Sequence, residues 1–207
     1  MDLNTLQFRQ ELHDRYFHDD IYKLGRHRRL EHLTLHHVKY TAQLMETIHN
    51  INDIPAAEWE AKVSFIYRRC LDGMLVSISM LNTMNIHLHS VWGPVFNRTW
   101  GLQNCTHEGV YATGRIAKMI EDIDHMVIDN VANVLRKEVA TLIQVYEHLL
   151  WSIGDKFRTD DPEQTVINAI LTRMLGLEDG KFMADRHHEE IARHMKDRTE
   201  RLAQWTS

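Results

Sequence analysis

Apolar positions recur at helical spacing along the chain, and no stretch alternates with the period of two that a half-buried strand needs. Leu6, Leu12, Phe17, Ile21 and Leu24 predict a first helix over about 3–24, which Gly25 and the basic run Arg26-His27-Arg28-Arg29 separate from the next. Leu30, Leu33, Leu44, Ile48 and Ile51 predict a second helix over 28–50. Past the turn Asn52–Pro55, the row Trp59, Val63, Ile66, Cys70, Met74, Ile78 and Leu81 predicts a third helix over about 56–85. Between Leu71 and Ile86 this helix is apolar over most of its circumference, the pattern of a central helix.

The stretch 87–110 shows no clean period and carries three glycines and a proline, so it reads as a long irregular loop. From Arg115 to about Ile153 one apolar face is sustained through Ile116, Ile120, Ile123, Val127, Val131, Val134, Leu142, Val145 and Leu149. That span is either one helix or a hairpin broken near Asp129-Asn130. Asp160-Asp161-Pro162-Glu163 then supplies a capping acid, a proline at the first helical position and an acid in the first turn. It predicts a helix ending at Gly176 that buries Val166, Ile170, Leu171 and Met174. A last helix, about 182–205, is mostly charged with a thin seam of Ile191, Met195 and Leu202, and belongs on the periphery. The expectation is one all-α domain over 1–207, a bundle of about six helices.

Composition narrows the function classes. The chain has 207 residues, 43% hydrophobic and 26% charged, within the range of ordinary globular proteins. A net charge of −5 gives no support for binding nucleic acid or an anionic membrane. Fifteen histidines make charge-dependent behaviour near pH 6 an expectation. Two cysteines are too few for a disulfide framework and read as reduced thiols. No apolar run reaches the roughly 18–20 residues of a membrane span, and the N-terminal stretch lacks an apolar signal core. The expected location is the cytoplasm, with a phage protein acting in its host's cytoplasm included.

Candidate chemistry starts on the second helix. His32, His36, Lys39, Gln43 and Glu46 stack at i, i+4, i+7, i+11 and i+14, beside the apolar side instead of opposite it. In the third helix Asp72 stands among apolar residues, either paired with Arg68 one turn earlier or acting as a functional acid. Glu121 and Asp124, spaced i, i+3, either face solvent or offer two oxygens to a hard divalent cation, with His125 next to them. In the irregular stretch, Trp92, Phe96 and Trp100 either stack on a base, with Arg98 for a phosphate, or fasten the loop to the body. His13-Asp14 and His18-Asp19 match the dipeptide of HD phosphohydrolases. They lie too near the N-terminus to be preceded by that fold's first His ligand. Cys105 and His107 have no second ligand pair at zinc spacing, and the chain does not carry the two Glu-x-x-His pairs on separate helices that ferritin-like bundles need.

The segment from Cys70 to Leu88 resembles the second metal-site helix of MazG-like nucleotide pyrophosphohydrolases, with Asp72 at the Asp of that family's ExxD. Arg69 stands at its Glu position, and a full ExxD follows later as Glu121–Asp124 with His125. The run HLTLHHVKY, from His32 to Tyr40, with this later motif is similar to a divergent, phage-type branch, and the resemblance spans residues 28–150. It implies an all-α homodimer that splits a nucleoside triphosphate into a monophosphate and pyrophosphate. Glu121, Asp124 and Asp72 would then hold Mg2+ (or Mn2+). His32, His36 and Lys39 would serve the reacting phosphates, and Arg68, Trp92, Arg98, Trp100 and His125 the rest of the nucleotide. The alternative is a non-catalytic helical relative that binds a nucleotide or a protein partner.

Overall fold

The computed structural model describes residues 2–93, 101–123, 131–154 and 161–179. Among them are seven α-helices and no strand: α1 (Leu3–Phe17), α2 (Asp19–Tyr22), α3 (Arg26–His49), α4 (Trp59–Met84), α5 (Leu102–Ile123), α6 (Val131–Ile153) and α7 (Pro162–Asp179). The protein is an all-α helical bundle. Helices α3, α4, α6 and α5 form its four-helix centre, each packed on two neighbours in that cyclic order. Helices α1 and α7 lie against α4 and against each other on the outside.

The core follows the apolar rows. Leu44, Ile48, Met74, Ile78, Leu81, Ile116, Leu142, Val145 and Leu149 are buried together between the four central helices. Helix α4 is buried nearly all round from Cys70 to Leu81, as its composition predicts. It stops at Asn85, whose left-handed backbone (φ 57°) lets the Ile86 amide donate to Leu81 O at 2.9 Å and closes the helix end.

Helix α1 is fastened to that end through Gln7, whose backbone carbonyl also accepts from Asn82 Nδ2 at 3.1 Å. Gln7 Nε2 donates to Ile86 O at 2.8 Å, while Gln7 Oε1 accepts from the Leu88 amide at 2.7 Å. The predicted first helix is broken at His18 into α1 and the single turn α2. Arg29, from the start of α3, donates to the carbonyls of Tyr22 and Leu24 and stands over the Tyr22 ring at 4.4 Å. A guanidinium there satisfies the carbonyls a helix end leaves open, so α2 stops where α3 can reach it.

Two boundaries depart from expectation. The irregular stretch does not extend to 110, because α5 already begins at Leu102. One of its glycines serves close packing: a Cβ on Gly109 would meet Val145 Cγ1 at 3.1 Å. Likewise α7 runs through the exposed Gly176 to Asp179 instead of ending there. The span 115–153 falls on two helices, α5 and α6, packed as a hairpin. The expected helix 182–205 lies outside the described residues.

A polar cavity beside the bundle

The cavity opens where α1, α2, α3, α4 and α7 meet, with a volume of about 230 Å³. Helix α3 contributes Arg29, His32, His36 and Tyr40 to its wall, and α1 contributes Gln10, His13 and Asp14. His18 and Tyr22 close one side, while Asp72 and Ser79 of α4 face Arg173 of α7. Leu33, Leu75, Val76, Leu177 and Ile21 supply the apolar remainder.

The histidines on α3 are ordered into a ladder. His32 Nε2 and His36 Nε2 lie 3.1 Å apart, and His36 Nδ1 lies 3.2 Å from Tyr40 Oη. The i, i+4 spacing aligns these rings one turn above another. Burial holds His36 below the ordinary imidazole range, helped by the neighbouring His32 and Lys39. On the α1 side, Gln10 Nε2 donates to Asp14 Oδ1 at 2.8 Å and to Ser79 Oγ at 3.1 Å. Burial pushes the Asp14 carboxyl up to about 6. His13 is buried and stacks on Phe17, with ring centroids 5.1 Å apart.

Asp72 is buried and held by two guanidinium groups. Arg69 Nη1 donates to Oδ2 at 3.2 Å and Arg173 Nε to Oδ1 at 2.8 Å. The partner expected from sequence, Arg68, is exposed and is not part of the cavity wall. An i, i+3 arginine on the cavity side takes its place.

The structure therefore brings together His32, His36 and Asp72 from the expected set. Lys39 is exposed beside the ladder, with Nζ 5.5 Å from the Tyr40 ring centre. Farther along the stripe, Glu46 is exposed and Gln43 half-buried, and neither lines the cavity. Trp92 is a core residue, so it fastens its segment to the body. Glu121 points to solvent on α5, 3.6 Å from Lys118, which also binds Asp122 at 2.5 Å. No described α5 residue lines the cavity. Arg98, Trp100, Asp124 and His125 lie outside the described residues. Cys70 and Cys105 are buried free thiols, as expected.

Gln10, Tyr40, Ser79, Arg29 and Arg173 of the cavity wall are not expected from sequence, which offers His13 and Asp14 only as an HD dipeptide without that fold's first His ligand. The His13-Asp14 dipeptide was the available signal. Nothing local announces that α1 and α7 converge on the α3 stripe.

Magnesium wants a near-octahedral set of oxygen ligands. Here Asp72 is engaged by two arginines and Glu121 stands on another side of the bundle. Among the described residues, no three His, Cys, Asp or Glu side chains converge as a metal-binding group. Of the expected ligands, the described pair, Asp72 and Glu121, does not form a magnesium centre. Nor is any described helix long and apolar enough to cross a membrane.

Fold and cavity thus define a helical bundle with an imidazole- and guanidinium-lined pocket. Comparison of the chain with family models, curated proteins and solved structures found no match.

Proposed function

We propose that the protein is a helical binding protein whose cavity takes a small phosphate-bearing anion, at most about the size of a nucleoside monophosphate. The observation that carries this reading is the polar lining: two arginines and four histidines against two carboxylates, one of which, Asp72, is already neutralised by Arg69 and Arg173. Arg29 adds a buried Nε without a hydrogen-bond partner, a donor suited to an acceptor oxygen. Tyr22, Tyr40 and the aliphatic wall suit the flat, less polar part of such a ligand. The volume favours a small ligand, since drug-sized molecules usually occupy about 300–1,000 Å³.

Thermal unfolding with inorganic phosphate and with nucleoside mono-, di- and triphosphates tests this reading. A binder present at about a hundredfold its Kd adds about 2.7 kcal/mol. For a chain of this size that raises Tm by about 5–10 °C. The shift is expected with monophosphates and is expected to shrink in Arg29→Gln. If none of these anions moves Tm, the reading fails.

Hydrolysis of a nucleoside triphosphate is the second reading, and the His32–His36 pair on the cavity wall favours it. Imidazoles in that position can donate or accept a proton at a bound phosphate. Pyrophosphate release by the wild type, lost in His36→Gln, would support catalysis. A wild type that binds nucleotide and releases none would leave the binding function alone.

A further inference from the structure

We infer that His32 and His36 form a two-imidazole site for a first-row transition-metal ion of the zinc, nickel and copper group. This inference goes beyond the anion reading and stands without it. It rests first on geometry. The ring centroids lie 4.8 Å apart and the two Nε2 atoms 3.1 Å apart. At the about 2.0–2.1 Å of a zinc–imidazole bond, that separation corresponds to an N–metal–N angle of roughly 98°. The angle lies between the right angle of a tetragonal copper or nickel site and the wider tetrahedral angle of zinc.

The second support is the partner behind the ladder. His36 Nδ1 is 3.2 Å from Tyr40 Oη. A ring that donates from Nδ1 to that oxygen keeps the Nε2 lone pair for a metal, the usual outer-sphere arrangement of a ligating histidine. Tyr40 is itself buried on the cavity wall, beside the ladder. A proton shared between the two Nε2 atoms fits the same distance, and a metal ion would displace it. Asp14 lines the same cavity and offsets part of the added charge, while Asp72 stays engaged by Arg69 and Arg173. With two protein ligands, the remaining positions of the ion belong to water or to an anion entering the cavity. The class of metal follows from the donors, because neutral imidazole suits zinc, copper and nickel and not magnesium or calcium.

Cu2+ titration of the metal-free full chain, followed by electron paramagnetic resonance, is the test. One ion per chain is expected to bind with coupling to two imidazole nitrogens, and Zn2+ is expected to compete for it. His32→Gln and His36→Gln should each weaken Cu2+ binding at least about tenfold, and Tyr40→Phe about tenfold, the lower end for loss of an outer-sphere partner. His87→Gln/His89→Gln, at a pair with centroids 5.5 Å apart elsewhere on the surface, should leave the affinity unchanged. Equal Cu2+ affinity in the wild type and in both single variants overturns the site. So does a spectrum coupled to one imidazole or none, a readout that holds even if a variant fails to fold. No nucleotide is present in this titration, so its result is independent of whether the cavity binds an anion.

Discussion

At the residue scale, the centre of the bundle is organised by one aromatic ring. Tyr146 is fully buried on α6 and its hydroxyl lies 2.8 Å from Nδ1 of His37 on α3. The ring fits because position 73 of α4 has no Cβ: one built there would stand within 2.7 Å of Cζ, Cε1 and Cε2 of Tyr146. A rigid ring in a filled core cannot yield by that much without moving α6 from α4. Gly73→Ala should therefore destabilise the protein by about 1–3 kcal/mol, the usual cost of overpacking. Calorimetry would show this as a lower Tm, whereas an unchanged Tm would mean the α4–α6 contact is loose. Such contacts are not legible from sequence. Gly73 reads as a small residue in an apolar helix, and its reason lies 73 residues further on. His32 and His36 were legible, because i, i+4 spacing alone puts two side chains together. Asp72 was half legible. Burial demanded a partner, but which of two adjacent arginines faces the cavity depends on helix rotation, and Arg173 is 101 residues away.

At the scale of elements, the cavity exists because α7 closes it, and α7 is tied to α4 by the bond from Arg173 to Asp72. The remainder of that contact is apolar: Val166, Ile167, Ile170 and Met174 of α7 are buried. Removing the guanidinium leaves Asp72 with Arg69 as its remaining ion-pair partner. Arg173→Met should cost about 1–3 kcal/mol, the range for stripping a partner from a buried polar group. The effect should be local. Hydrogen exchange is expected to speed up in α7 while α5 and α6 keep their protection, since α7 packs on α4 and α1. Uniform acceleration through all helices would show instead that α7 folds as one unit with the central bundle. Helix periodicity announced α3, α4 and α6 because their apolar rows are long and uninterrupted. It failed at the start of α5, where Gly101, Gly109 and Gly114 look like breakers. Gly109 is there for the close approach of Val145 and Thr41.

For the whole molecule, the buried titratable groups make stability depend on pH, and they act in opposite directions. Burial pushes the Glu147 carboxyl up to about 8, with the nearby charge of Glu163 adding to the shift. The native protein thus keeps a proton on Glu147 that the unfolded chain has already lost above its ordinary 4.5. Stability from this group is present below 4.5 and is lost as pH rises through about 8. Asp14, raised to about 6, acts in the same sense from its ordinary 3.8. His37 does the reverse. Its burial pushes it down to about 3, so the unfolded chain binds a proton below 6.5 that the native ring refuses, and stability falls as pH drops through that window. Between pH 6.5 and 8, Glu147 has the largest difference in proton balance of the three, because His37 and Asp14 are at the ends of their windows and act in opposite directions. One proton over that interval corresponds to about 1–2 kcal/mol. For a chain of this length it should lower Tm by about 2–8 °C. Glu147→Gln keeps the shape and removes the titration, so its Tm should decline less than the wild type's from pH 6.5 to 8. Parallel declines in the two proteins would mean that Glu147 is already ionised inside the fold. In that case a cation, and not a proton, would have to balance it against Glu163.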